Sequence, residues 1–190
     1  MNKDIDITNV VLKTERLTLR NWKQTDLDDF YSYASVDGVG QMAGWQPHEN
    51  KEKTEEILNI FIKGKKTFAL EYQGRVIGSL GIEKYNEKKF PEFDNLAVRE
   101  IGFVLAKDCW GKGIMPEAVK EVCRYLFEDV HLDLITCGYF KWNKQSARVQ
   151  EKCGFEPYKE IDYVTQSGND EIVELNVLYK EHWKQMTEVK

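Results

Sequence analysis

The apolar pattern of this 190-residue chain encodes an α+β fold, with a central, mostly antiparallel mixed sheet flanked by helices. Two pairs of strand-like segments are joined by short turns, Gln73-Gly74 and Ser167-Gly168-Asn169-Asp170, and a tight turn makes its strands antiparallel neighbours. The stretch Glu100–Ala118 adds an apolar run, a glycine turn and an amphipathic helix in succession.

Taken in order, Thr14–Arg20 alternates polar and apolar residues towards its end, the mark of a half-buried strand. Thr25-x-x-Asp28 is a helix-start signature ahead of Leu27, Phe30, Tyr31 and Ala34. Ser35–Asn50 holds three glycines, a proline, Met42 and Trp45, and reads as a loop with apolar content. Trp45 there can face a ligand or fold back onto the core. Asn50 caps a second helix, with Ile57, Leu58, Phe61 and Ile62 on one face. The hairpin Thr67–Tyr72 and Arg75–Tyr85 follows, and Gly78 and Gly81 within it signal a bulge or close packing. Asn86–Asn95 is a polar loop leading to a central strand, Glu100–Leu105. Beyond the turn Ala106–Gly113, Pro116-Glu117-Ala118 opens a helix whose apolar stripe runs from Ala118 to Phe127. Leu134–Trp142 is a strand, and Asn143–Lys152 a short helix ended by Gly154. Phe155–Thr165 and Glu171–Tyr179 are the last two strands, before a short amphipathic tail. No repeat, low-complexity tract or linker interrupts the chain, so residues 1–190 read as a single domain.

Composition narrows the partners. With 27 basic and 32 acidic residues interspersed, net charge −5, no basic cluster tracks a phosphate backbone, which disfavours nucleic acid. The acidity mildly favours a cationic partner. No apolar run approaches the ~18 residues of a membrane span, and the first residues lack the apolar core of a signal peptide. Cys109, Cys123, Cys137 and Cys153 are scattered, as are His48, His131 and His182, so zinc spacing is absent and no metal is expected. Free thiols of this kind suit buried positions and a reducing, cytoplasmic setting.

A glycine turn that delivers a strand into a helix N-terminus aims several backbone N–H groups at one point. The helix dipole adds about half a positive charge there, which suits phosphate. The same turn also reads simply as a tight loop before a surface helix. Gly111-Lys112-Gly113 fits neither a P-loop nor a complete dinucleotide fingerprint, because no third glycine follows and the turn lies in mid-chain.

Trp110-Gly111-Lys112-Gly113-Ile114-Met115-Pro116-Glu117-Ala118 and the stretch from Asn143 to Phe155 (NKQSARVQEKCGF), with Thr14–Arg20 at the front, resemble the GNAT superfamily of acyl-CoA-dependent N-acetyltransferases. The closest likeness is to its RimJ/RimL branch, which acetylates ribosomal-protein N-termini. The resemblance covers nearly the whole chain and implies a GNAT-like fold. It also implies acetyl-CoA as co-substrate, an amine acceptor (a peptide N-terminus or a small molecule), and leaves room for a homodimer. It places the CoA pyrophosphate on Trp110, Gly111, Lys112, Gly113, Ile114 and Met115, and the pantetheine arm along Phe103, Val104 and Leu105. Trp110 and Met115 depart from the usual turn of the superfamily; tryptophan at the first position is familiar in the RimJ/RimL-like branch, and the longer Met115 side chain must point away from the phosphates.

Amide formation from a thioester requires a base near the amine, a proton donor near the sulfur and an N–H for the oxyanion. The donor in many relatives is a tyrosine; the matching position here is Gln150, which cannot serve. Ser146 matches the serine used in the RimL-like branch, or it simply bonds backbone in its helix. Asn143 caps that helix and, by resemblance, holds the CoA arm. Glu100 is the candidate base, or else a strand-end carboxylate in an ion pair; Glu71 and Tyr139 are further candidates. By resemblance the acceptor lies against the Ser35–Asn50 loop, through Trp45 and Met42. Two other readings share the glycine turn: a CoA-binding sensor or assembly protein with little or no catalysis, and a plain nucleotide-binding module.

Overall fold

The computed structural model describes residues 1–188. The chain runs β1 (Leu12–Lys13), β2 (Leu17–Asn21), α1 (Leu27–Ala34), α2 (Lys51–Gly64), β3 (Thr67–Tyr72), β4 (Arg75–Glu83) and β5 (Val98–Leu105). It continues through α3 (Ile114–Arg124), β6 (Leu134–Phe140), α4 (Lys144–Lys152), β7 (Glu156–Val164), β8 (Asp170–Tyr179) and α5 (Lys180–Glu188). Among the described residues the strands form one eight-stranded sheet in the order β1-β2-β3-β4-β5-β6-β8-β7. Every neighbouring pair is antiparallel except β5 and β6. The α+β architecture expected from the sequence is therefore the one observed.

Several boundaries have clear physical causes. The Asp26 carboxylate accepts the Lys23 N–H at 2.8 Å, so a 3-10 turn at Gln24–Asp26 precedes α1, and Asp26 does the organising expected of Thr25 and Asp28. Asn50 caps α2 by accepting the Lys53 N–H at 2.8 Å, as expected. The β3–β4 register shifts so that Leu70 faces Gly78 and Glu71 faces Val76, which leaves Ile77 as the extra residue of a bulge. The Ile77 carbonyl then accepts the Ala106 N–H at 2.7 Å, tying the end of β5 to β4.

The main core lies where α1, α2 and α3 cover the sheet. Phe68, Leu70, Ile77, Leu80 and Ile101 are buried in it, together with Val119, Val122 and Leu126. A smaller cluster around Tyr85, Phe90, Phe93 and Val177 supports the 84–96 loop on the other side. All four cysteines are free and buried, as small apolar fillers. No helix among the described residues is long and apolar enough to cross a membrane.

Candidate active site

The site grows out of one defect in the sheet. β5 and β6 pair in parallel only through Val98–Glu100 and Leu134–Thr136, and beyond that point the two strands diverge. Two cavities, of about 360 and 380 Å³, open on either side of this splay.

The first is walled by Phe103, Val104 and Leu105 of β5, by the turn from Trp110 to Met115, and by one face of α4. The turn is held from several directions. The Trp110 indole N–H donates to the Leu105 carbonyl at 2.8 Å, closing the end of the strand. Arg16 donates to the Lys112 carbonyl at 2.9 Å and to the Glu117 carboxylate at 2.6 Å, and Glu117 also accepts the Thr14 hydroxyl at 2.5 Å. Burial opposes ionisation of Glu117, but these donations outweigh it and hold its carboxyl below the usual range. Gly111 and Gly113 have φ of 74° and 71°, the left-handed region where a side chain is strained. That conformation turns the chain so that, among the described residues, the N–H groups of Gly111 to Met115 meet no acceptor. Helix α3 begins at Ile114, two residues before Pro116. Proline thus sits in the first turn, where its lack of an N–H costs nothing. Met115 is only 3 % exposed: its side chain turns into the core, which reconciles it with an anion-facing backbone. The Lys112 side chain is exposed and lines neither cavity, so the contact that ties Lys112 into the turn is its carbonyl, which accepts from Arg16.

On the facing helix, Asn143 caps α4 by accepting the Ser146 N–H at 3.1 Å and donates to the Met42 carbonyl at 3.1 Å. It thereby ties α4 to the 3-10 turn Gly40–Ala43 beside the splay. Gln145, Arg148, Val149 and Lys152 line the same cavity from α4. The sequence reading did not pick them out; their signal is the helical spacing that puts them on the face following Asn143.

The second cavity contains Glu100, Tyr139, Met42, Lys84 and Lys89, with walls of Phe90, Phe140 and Ile161. Glu100 is half-buried and pairs across the sheet with Glu83. Burial, with the Glu83 charge adding to it, pushes the Glu100 carboxyl up to about 7. It is therefore poised between acid and base near neutrality. Burial also raises Tyr139, helped by Glu174.

Met42, Phe103 and Ser146 line both cavities, and of these only Ser146 carries a polar hydrogen. Behind it stands Gln150, fully buried, whose amide donates to Ser146 Oγ at 3.3 Å. That contact occupies an oxygen lone pair and leaves the hydroxyl hydrogen free to point forward. Gln150, set aside on sequence grounds, is thus a hydrogen-bonded neighbour of Ser146.

Two expected residues lie elsewhere. Trp45 lines neither cavity: its indole folds over Gly40, where any Cβ would overlap the ring, and packs on His48 at a ring distance of 5.1 Å. The absence of a side chain at Gly40 leaves room for the ring, and Trp45 packs half-buried against the core. Glu71 is bound to Arg20 at 2.7 Å on β3 and is absent from both cavities. Among the described residues no group of three His, Cys, Asp or Glu side chains could hold a metal ion.

Comparison with known proteins bears on this geometry. The chain is 29% identical over 166 residues to the uncharacterized N-acetyltransferase YoaA of Bacillus subtilis (strain 168), spanning 83% of this chain and 90% of that protein. Its fold superposes on a GNAT-family acetyltransferase from Bacillus anthracis with a TM-score of 0.79 at 22% identity, covering 90% and 99% of the two chains. The microcin C7 self-immunity acetyltransferase MccE, solved with acetyl-CoA and AMP, superposes with a TM-score of 0.74 at 15% identity over 93% of this chain and 99% of its own. Residues 16–156, from the Arg16 brace through the glycine turn and α4 to the start of β7, match the family described as "Acetyltransferase (GNAT) domain". The splayed sheet, the glycine turn and the capped α4 are thus those of a family member, and this chain belongs to the GNAT acetyltransferases.

Proposed function

We propose that this acetyltransferase transfers an acetyl group from acetyl-CoA to a primary amine, either a protein N-terminal α-amine or a small molecule, by direct attack of the amine on the thioester. The observation that carries this reading is Ser146, the one proton-bearing side chain that lines both cavities where the strands diverge. The residues present also fit acetyl-CoA. A row of unpartnered N–H groups at a helix start suits a diphosphate, and the strand Phe103–Leu105 borders the first cavity, whose lining is more apolar than polar. When bound, acetyl-CoA supplies an electrophilic thioester carbon and a thiolate leaving group.

The chain's own residues then have distinct tasks. Gly111–Met115 bind phosphate oxygens through the main chain, and Arg148 and Lys152 add positive charge from α4. Glu100, ionised above about 7, takes the proton that the amine must lose as its nitrogen bonds to carbon. As the carbon–sulfur bond breaks, Ser146 passes its proton to the sulfur, and solvent replaces it. A backbone N–H of β5, on the side where β6 has diverged, supplies the oxyanion contact.

Trp110 at the head of the turn and Ser146 in the donor position support the RimJ/RimL-like placement. Buried, unpaired cysteines support a reducing cytoplasm, with the whole chain acting as one domain. The test is thiol release from acetyl-CoA with peptide N-termini, polyamines, amino acids and aminoglycosides. Release of CoA matched by acetylated amine is the expected result. Tight acetyl-CoA binding without release on any of these amines would overturn the reading.

A further inference from the structure

The second cavity has a charge pattern opposite to that of the molecule. The chain carries a net charge of −5, yet the cavity is lined by two lysines, Lys84 and Lys89, and by one carboxyl, Glu100. Among the described residues neither lysine ammonium makes a hydrogen bond or an ion pair. The Glu87 carboxylate lies near enough to Lys84 to feel its charge but accepts the Asn2 N–H at 2.8 Å, and other carboxylates nearby are engaged. Glu83 pairs with Lys66, Glu92 accepts the Tyr158 hydroxyl at 2.5 Å, and Glu160 pairs with Lys141. The Asn86 side-chain oxygen is likewise occupied, by the Lys89 N–H at 3.1 Å, which leaves its amide hydrogens as further donors beside the cavity.

These groups sit on an anchored loop. Tyr85 exchanges two hydrogen bonds with the Asn2 side chain, at 2.9 and 3.1 Å. Phe90 and Phe93 stack beneath the loop at 5.9 Å. The remaining wall combines apolar Phe140, Ile161, Val173 and Leu175 with the hydroxyl-bearing Tyr139, Tyr163 and Ser146. One carboxyl for an amine, an apolar wall for a stem and a donor set without an acceptor together describe the ligand that completes them.

We infer that the acceptor is a small zwitterionic amine: a primary amine on an apolar or aromatic body that also carries an anionic oxygen group, carboxylate or phosphate, held by Lys84, Lys89 and Asn86. The chemistry rests on the transferase reading; the charge preference is a separate claim. Polyamines meet like charge in this cavity and are poor acceptors.

The test pairs each anionic amine with its uncharged counterpart: phenylalanine against phenylalaninamide, and tyramine O-phosphate against tyramine, with spermidine as the polycation. Each is compared at equal concentration of free-base amine, by kcat/KM with acetyl-CoA and by calorimetric binding to the CoA complex. One member of at least one pair, the anionic one, should be favoured about tenfold or more, in line with a charge-assisted hydrogen bond. Whichever pair shows this identifies the group as carboxylate or phosphate. In the Lys84→Glu/Lys89→Glu protein that ratio should collapse to about one or invert. Equal use of charged and neutral members, a preference for spermidine, or a ratio unmoved by the double substitution would each overturn the inference. If no amine releases CoA, the transferase reading fails, and the calorimetric ratio still decides the charge preference.

Discussion

The cavity bordered by α3 is built largely from main chain, whereas the cavity bordered by β6 and β8 is built from side chains. On the first side the groups proposed to act are the N–H groups of Gly111 to Met115, shaped by two left-handed glycines and braced by Arg16. On the second they are Glu100, Tyr139, Lys84 and Lys89, brought from three separate segments by the pairing of the sheet. A site of the first kind tolerates change in the side chains it does not use. A site of the second kind depends on each group it presents.

The largest expected effect is on the side-chain half. Glu100→Gln should lower kcat/KM by about 10²–10⁴-fold, the usual worth of a general base. Its pH profile should lose the limb near 7 below which the native Glu100 is protonated and inactive. Stability supplies an independent check. Because folding raises this carboxyl above its usual 4.5, its favourable contribution stands below that value and is lost as the pH rises through about 7. The melting temperature of Glu100→Gln relative to the parent should therefore be more favourable at pH 8 than at pH 5. An unchanged limb, or a pH-independent difference in melting, would remove Glu100 from the base position.

Next comes Ser146→Ala, with kcat reduced by about 10²-fold while acetyl-CoA affinity stays within about threefold, as befits a group acting in the transition state. Gln150→Leu should show a smaller loss, about 3–10-fold, because it frees the Ser146 lone pair without removing the hydroxyl. Parental turnover in the serine variant, or an equal loss of binding and rate, would make Ser146 structural or a binding contact only.

The main-chain half is broken by geometry. Gly113→Val places a β-branched residue at φ of 71°, a strain of about 1–3 kcal/mol, and should weaken CoA binding by about tenfold or more in calorimetry. Lys112→Ala, in the same turn, should change affinity by less than about twofold. Its side chain lines neither cavity, and the carbonyl that Arg16 holds is retained. A large effect at Lys112 with a small one at Gly113 would reverse the comparison between the two halves. Trp45→Ala tests the reassigned loop: a melting temperature lowered by the loss of a partly buried indole, with acceptor KM unchanged.

The same contrast explains what could be read from the chain alone. A glycine turn before a helix is contiguous, so the turn at Trp110–Gly113 and the helix start after it were legible, and the alternation of Thr14–Arg20 and the paired turns revealed the sheet. Asn143 and Ser146 were legible because a cap and the residue it serves are three positions apart. Glu100 was legible as a candidate base or a strand-end carboxylate, without a choice between them; its raised pKa depends on burial and on Glu83, both products of folding. Trp45 looked like a recognition residue because its loop is glycine-rich, and the glycine at position 40 proved to be the notch that receives its indole. Lys84 lay at the end of the strand read as Arg75–Tyr85 and Lys89 in the polar loop Asn86–Asn95, and only the pairing of β4 with β5 carries both to the cavity.

The divergence of β5 and β6 has one more consequence, for solubility. A sheet normally has edges only at its two ends, but this one also exposes strand-edge main chain in its middle, along Gly102–Leu105 and Gly138–Phe140. Such edges are templates for unwanted pairing with another chain. Here they face each other across a cleft flanked by α4 and by the 3-10 turn at Gly40–Ala43, so a strand from outside has little room to lie along them. A ligand seated in the cleft also acts as a guard against aggregation, and light scattering on heating should begin at a higher temperature when CoA is present.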